Sequence, residues 1–127
     1  MPSPVILLVE KVELKGELNH SAPARELAGR LPLELELSRW GQEYYGALEH
    51  PLEAQGEADK EVMEIGELAY WQPGQALCLF FGPTPASQGQ EPRAASPVVS
   101  LGRVQGDWQA LDALGPRVRV RLEEAES

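Results

Sequence analysis

The segment Arg39-Trp40-Gly41-Gln42-Glu43-Tyr44-Tyr45 gathers a guanidinium, a carboxyl and three aromatic rings into seven consecutive residues. A guanidinium beside Trp40 and Tyr45 can hold a carboxylate or a peptide carbonyl through its planar fork of donors. The plainer alternative is a structural ion pair from Arg39 to Glu43 or to a neighbouring strand. Tyr70, Trp71, Pro73 and Phe80 form a second group, with aromatics beside a turn. Trp and Tyr suit ligand surfaces because they join apolar area to a polar tip. Tyr70 and Phe81 read as core, and Trp71 stands between ligand wall and core cap. Cys78 is the only cysteine. A nucleophilic thiol needs a base and partial exposure, yet Leu77 and Leu79 flank it, and His20 and His50 lie in polar loops. It is expected to be a small core hydrophobe. Two histidines and one cysteine without ligand spacing argue against a zinc site, and no cofactor is expected. Arg117, Arg119 and Arg121 make a basic stripe, read as a solvated or salt-bridged face rather than a nucleic-acid contact.

These side chains must be positioned by strands. Gly66 to Pro85 reads as strand, tight turn, strand. In Gln72-Pro73-Gly74-Gln75, Pro pre-sets φ and Gly accepts a positive φ at the third position, which predicts a type II turn. Ala76 to Phe81 is apolar throughout, so both faces should be covered, with Leu77, Leu79 and Phe81 on one and Ala76, Cys78 and Phe80 on the other. Val5 to Val9 is a buried strand by composition. Val12, Leu14 and Leu18 follow at period 2, and Gly16 between them is expected to mark a bulge. Ser21 caps a short helix that Pro32 ends, with Ala24, Leu27, Ala28 and Leu31 on its apolar face. Leu33, Leu35 and Leu37 alternate with Glu34, Glu36 and Ser38 as a half-exposed strand. Glu43 to Gly46 is expected to return as another. Glu49 to Lys60 reads as polar loop, and Ala86 to Pro97 as a mobile surface loop. Val98 to Val104 is a strand. Asp107 caps a second helix with Trp108, Leu111 and Leu114 inward. Arg117 to Leu122 is the last strand. Many short strands with two short helices predict a closed barrel or a sandwich.

A length of 127 residues suits one domain over 1–127. A net charge of −9 argues against nucleic-acid backbones and anionic membranes, which need local positive potential. No apolar run approaches the ~18 residues of a membrane span. The lone cysteine suggests a reducing, cytoplasmic setting. Oligomeric state is left open.

Four stretches then carry a resemblance. Val98-Val99-Ser100-Leu101-Gly102-Arg103-Val104-Gln105-Gly106, with the helix and alternating strand after it, resembles the C-terminal part of cyclophilins. Ala22-Pro23-Ala24-Arg25-Glu26-Leu27 resembles their first helix. The centre resembles a narrower group, small prokaryotic cyclophilin-like proteins of unassigned function. Arg39 to Glu43 and Gly66 to Pro85 match that group's two motifs. The resemblance implies a mainly β fold: a closed eight-stranded cyclophilin-like barrel with a short helix capping each end. Cyclophilins are peptidyl-prolyl isomerases whose arginine hydrogen-bonds the proline nitrogen and so removes amide resonance. By resemblance Arg39 is the catalytic candidate, Tyr44 or Tyr45 stands near the proline pocket, and Gln75 lies nearest the catalytic glutamine. Pro97 occupies the place of a cyclophilin histidine, and the loop tryptophan is missing. The resulting expectation is a non-catalytic peptide- or small-ligand-binding module, using Trp40, Glu43, Tyr44, Tyr45, Trp71, Pro73, Gln75 and Phe80. A weak prolyl isomerase and a protein-interaction scaffold are the alternatives.

Overall fold

The computed structural model describes residues 3–125. Nine strands run in chain order: β1 (Ser3–Val9), β2 (Val12–Leu18), β3 (Leu33–Arg39), β4 (Glu43–Ala47), β5 (Lys60–Val62), β6 (Glu67–Trp71), β7 (Ala76–Phe80), β8 (Arg93–Gln105) and β9 (Arg117–Glu124). Helix α1 (Ala22–Ala28) follows β2, and α2 (Trp108–Asp112) follows β8. Neighbours run β2-β1-β9-β3-β4-β7-β6-β8, and β8 pairs back onto β2, so eight strands close an antiparallel barrel. β5 pairs with the first half of β8, outside the closed ring.

Period 2 explains the interior. Leu7, Leu14, Leu37, Leu68, Tyr70, Leu77, Leu79, Leu101, Val118, Val120 and Leu122 are all buried in one core. Leu33 and Leu35 pack against it from partly exposed positions. On β7 both faces are covered, as its composition requires. Leu77 and Leu79 face the barrel, with Phe81 just beyond the strand end. Ala76, Cys78 and Phe80 join Met63, Ala69, Ala94 and Val98 in a second, smaller cluster on the outer face. The β5–β8 arm is what covers that face.

The helices cap opposite ends. Ser21 Oγ accepts the Ala24 N–H, and Asp107 Oδ1 accepts that of Ala110, as the capping residues suggest. At the α1 end the segment 48–59 is no idle loop: Leu48, Leu52 and Ala54 are buried, Tyr70 Oη accepts the Leu52 N–H, and Arg30 donates to the carbonyls of His50 and Pro51. At the α2 end Tyr44, Phe81 and Trp108 stack in series.

Three local expectations are corrected. Gln72–Gly74 is a 3-10 turn, and the left-handed residue is Gln75 (φ 55°), not Gly74. A Cβ on Gly74 would stand 2.4 Å from the Trp71 ring, so that glycine makes room for the indole. Gly16 marks no bulge, since the β1–β2 register is unbroken. It is a close approach, where a Cβ would sit 1.9 Å from the Arg103 carbonyl oxygen. The stretch Ala86–Pro97 is loop only in its first half. Arg93–Pro97 belongs to β8 with Ala94 buried, and β5 supplies the pairing. Its loop part is tied by side chains: Thr84 Oγ1 donates to the Arg93 carbonyl, and Glu91 accepts the Gln88 and Gly89 N–H groups, which together with Arg93 hold its pKa down at about 2.

Candidate functional site

A two-residue turn sets the site. Trp40 and Glu43 exchange both backbone hydrogen bonds, at 2.8 and 3.1 Å, around Gly41-Gln42. Gly41 takes φ 61°, the left-handed value that a tight hairpin requires at its first central residue and that glycine supplies without steric cost. Closing the hairpin here places Trp40 opposite Glu43, Arg39 opposite Tyr44 and Ser38 opposite Tyr45. Directly opposed residues share a face of the sheet. Trp40, Glu43 and Tyr45 therefore point outward, while Arg39 and Tyr44 point to the barrel's α2 end.

The outward set continues across the sheet. Glu43 lies opposite Phe80 and Tyr45 opposite Cys78; Cys78 lies opposite Ala69, and Ala76 opposite Trp71. Across this face runs the first half of β8, and between them is a cavity of about 290 Å³ lined by Trp40, Glu43, Tyr45, Trp71, Cys78, Ala94, Ala95 and Val98. Three walls are aromatic, and apart from Glu43 the rest are small and apolar. Trp71 is held by its indole N–H, which donates to Ser96 Oγ at 2.6 Å.

Glu43 is the single carboxyl in the lining. Its residue is 5% exposed, and among the described residues no Lys, Arg or His pairs with it. Burial penalises its charged form and pushes its pKa up to about 7, although the Cys78 thiol, able to donate to it, pulls the other way. Cys78 is itself buried, and burial together with the neighbouring carboxylate pushes its thiol well up. That is the opposite of an activated nucleophile.

Arg39 is committed elsewhere. Nε donates to the Gly41 carbonyl at 2.7 Å, and Nη1 to those of Asp112 (2.9 Å) and Leu114 (3.4 Å); Nη2 donates to the Asp112 carboxylate. The guanidinium lies 5.5 Å from the Tyr44 ring centroid and 5.2 Å from that of Phe81. Arg39, with help from Gln42, holds the Asp112 carboxyl below its ordinary range. Its ion-pair partner is thus Asp112, not Glu43.

The structure brings Trp40, Glu43, Tyr45 and Trp71 together and leaves the other sequence candidates outside the lining. Tyr44 is fully buried and donates to the Gly115 carbonyl at 2.7 Å. Phe80 is buried beneath the site in the outer cluster. Pro73 lies in the 3-10 turn, and Gln75 Nε2 donates to the Leu48 carbonyl at 2.7 Å. Cys78, Ala94, Ala95 and Val98 are walls that sequence reading missed. Cys78 carried a signal, since it shares the outer face with Phe80 at period 2; the alanines carried none. Among the described residues no cluster of metal-ligating side chains occurs, and no helix is long and apolar enough to cross a membrane.

Comparison with known proteins agrees with this architecture. The family model described as cyclophilin-like matches residues 3–123. The solution structure of a hypothetical protein from Archaeoglobus fulgidus is similar over 98% of this chain and 95% of that one, at 32% sequence identity and a TM-score of 0.71. No curated protein matches the chain.

Proposed function

Since this chain belongs to the cyclophilin-like family, we propose that it uses the barrel frame as a binding module for a small ligand, without catalysis, at the cavity between β4, β7 and the first half of β8. The observation that carries this reading is the Glu43 carboxyl: 5% exposed, lining a cavity, and without a cation. Burying such a group costs several kcal/mol by general estimates unless something hydrogen-bonds or neutralises it. A titratable group perturbed by desolvation inside a cleft is a functional-site candidate on physical grounds. Apolar walls with one convergent polar group are also the usual make-up of a ligand pocket. The reading takes the protein as cytoplasmic, in line with its single cysteine.

The test is a titration of a fragment collection followed by amide and indole NMR signals. Shifts are expected to concentrate on the Trp71 indole N–H and the amides of Tyr45, Cys78 and Val98. Shifts clustering on another surface, or none at millimolar fragment, would remove the proposal.

The isomerase alternative needs a guanidinium free to meet a proline nitrogen. Every nitrogen of the Arg39 guanidinium donates within the protein, which weighs against it. Exchange of X-Pro peptides is expected to stay near its uncatalysed pace of roughly tens to hundreds of seconds. An NMR exchange assay that found rapid turnover, lost in Arg39→Ala, would put the isomerase first.

A further inference from the structure

The chemistry of the lining restricts the ligand further. Resting on the pocket reading above, we infer that the cavity takes an organic ammonium group, seated on Glu43 and enclosed by Trp40, Tyr45 and Trp71. Three lines of observation meet here. First, the lining contains a carboxyl and no basic side chain, so an anionic ligand would meet repulsion and no donor cation. Second, Glu43 has the burial of a paired carboxylate without the pair. Glu67 has the same burial and is given Lys60, 2.9 Å away. A ligand cation would supply for Glu43 what Lys60 supplies for Glu67, and a charge-assisted hydrogen bond is about twice as strong as a neutral one. Third, the remaining polar-tipped walls are two Trp and one Tyr, the side chains whose ring faces attract cations. A neutral apolar ligand would leave the carboxyl desolvated and unpaired. The cavity, at about 290 Å³, admits an amine with a small apolar body.

Proton linkage follows. Seating an ammonium ion on Glu43 favours its carboxylate, so binding releases the proton that burial retains near neutral pH. Affinity should therefore rise with pH from 5 to 8. The titratable groups that face Glu43 are few. From β7 there is the Cys78 thiol, pushed far above neutrality, and from its own strand the Tyr45 phenol. Trp40, just past the end of β3, and Ala94, Ala95 and Val98 on β8 carry no titrating group, and Arg39 is turned to Asp112. Glu43 is thus the group that changes charge in that window.

Four probes decide it by NMR titration: 2-phenylethylamine, 2-phenylethanol, phenylacetate, and Nα-acetyl-lysine amide. The first three share one apolar body and differ in charge; the last separates a free amine from a lysine side chain as the source of the ammonium. At pH 7.5 the amine should bind at least about tenfold tighter than the alcohol or the acid. Glu43→Gln should erase that preference and the rise of affinity with pH. Tyr45→Ala, at an exposed ring, should weaken the amine alone by roughly threefold. If the alcohol or the acid matches the amine, or the Gln variant keeps the preference, the ammonium inference falls while the pocket reading stands. If no probe shifts the Trp71 and Val98 signals, both fall.

Discussion

Glu43 and Glu67 each open a strand, and each is almost fully buried, at 5% and 6% exposure, yet the protein treats them in opposite ways. Burial would raise the pKa of Glu67 too. The Ser100 hydroxyl, the Glu64 N–H and the Lys60 ammonium, 2.9 Å from its carboxylate, outweigh that, and its pKa ends below the ordinary value. For Glu43 the nearby Cys78 thiol pulls the pKa down too weakly, so burial prevails and it rises to about 7. Burial is common to both; the supply of partners differs. Glu67 is neutralised by the fold, whereas Glu43 is left beside a cavity with no cation among the described residues, and the proposed binding role rests on that difference.

The largest expected effect comes from Glu43→Gln. The native state holds the Glu43 proton up to about pH 7, whereas the unfolded chain loses it near 4.5. Between those values the native state binds more protons, so this group makes stability fall as pH rises, levelling off above 7. A separation of this size corresponds to at most about 3 kcal/mol. Urea unfolding at pH 3.5 and pH 8 should find Glu43→Gln more stable than the native protein at pH 8, by roughly 1–3 kcal/mol, and close to it at pH 3.5, below the unfolded-state pKa. Equal stability at both ends would mean that Glu43 is neutralised after all and would dissolve the contrast with Glu67.

Next in size is Arg39→Ala, which tests whether the α2 end is structural where the outer cavity is not. It strands the carbonyls of Gly41, Asp112 and Leu114 and uncovers the Tyr44 and Phe81 rings. A loss of about 2 kcal/mol is expected in denaturant unfolding. A loss below half of that would show Arg39 to be dispensable to the fold and return it to the functional candidates.

Glu67→Gln should have the opposite sign to Glu43→Gln and a smaller size, about 1 kcal/mol, because Lys60 is half exposed and its pair is screened. A lowered pKa contributes stability above the unfolded value and loses it as pH falls through the folded one. The cost should therefore be present at pH 7 and vanish at low pH. If it grows on acidification, the two glutamates are not the pair of opposites described.

The smallest effect is kinetic. Cys78 faces Glu43 from a buried position, and both burial and that charge hold its proton on. Alkylation of the folded protein at neutral pH should take hours and speed up on unfolding; complete labelling within seconds would show an open, activated thiol.

Much of this was legible locally. Alternation assigned Leu33–Leu37 and Val118–Leu122 their inward residues, because a strand's facing depends only on parity. The unbroken apolar run Ala76–Phe81 required cover on both sides. Ser21 and Asp107 announced their helices, because a cap acts within three residues. Even the gathering of Trp40, Glu43 and Tyr45 on one face follows from the Gly41-Gln42 turn, and the same parity separates Arg39 from Glu43. What the chain does not reveal residue by residue is which strand lies beside which. Arg39 meets Asp112 across 73 positions, and Arg93–Pro97, poor in large apolar side chains, becomes strand because β5 is there to pair with it. Ala94, Ala95 and Val98 then become the far wall of the cavity. The depth of burial of Glu43, and with it the pKa that sets this carboxyl apart, depends on that wall. Parity and capping are set by near neighbours, whereas solvation is set by whatever the closed barrel brings alongside.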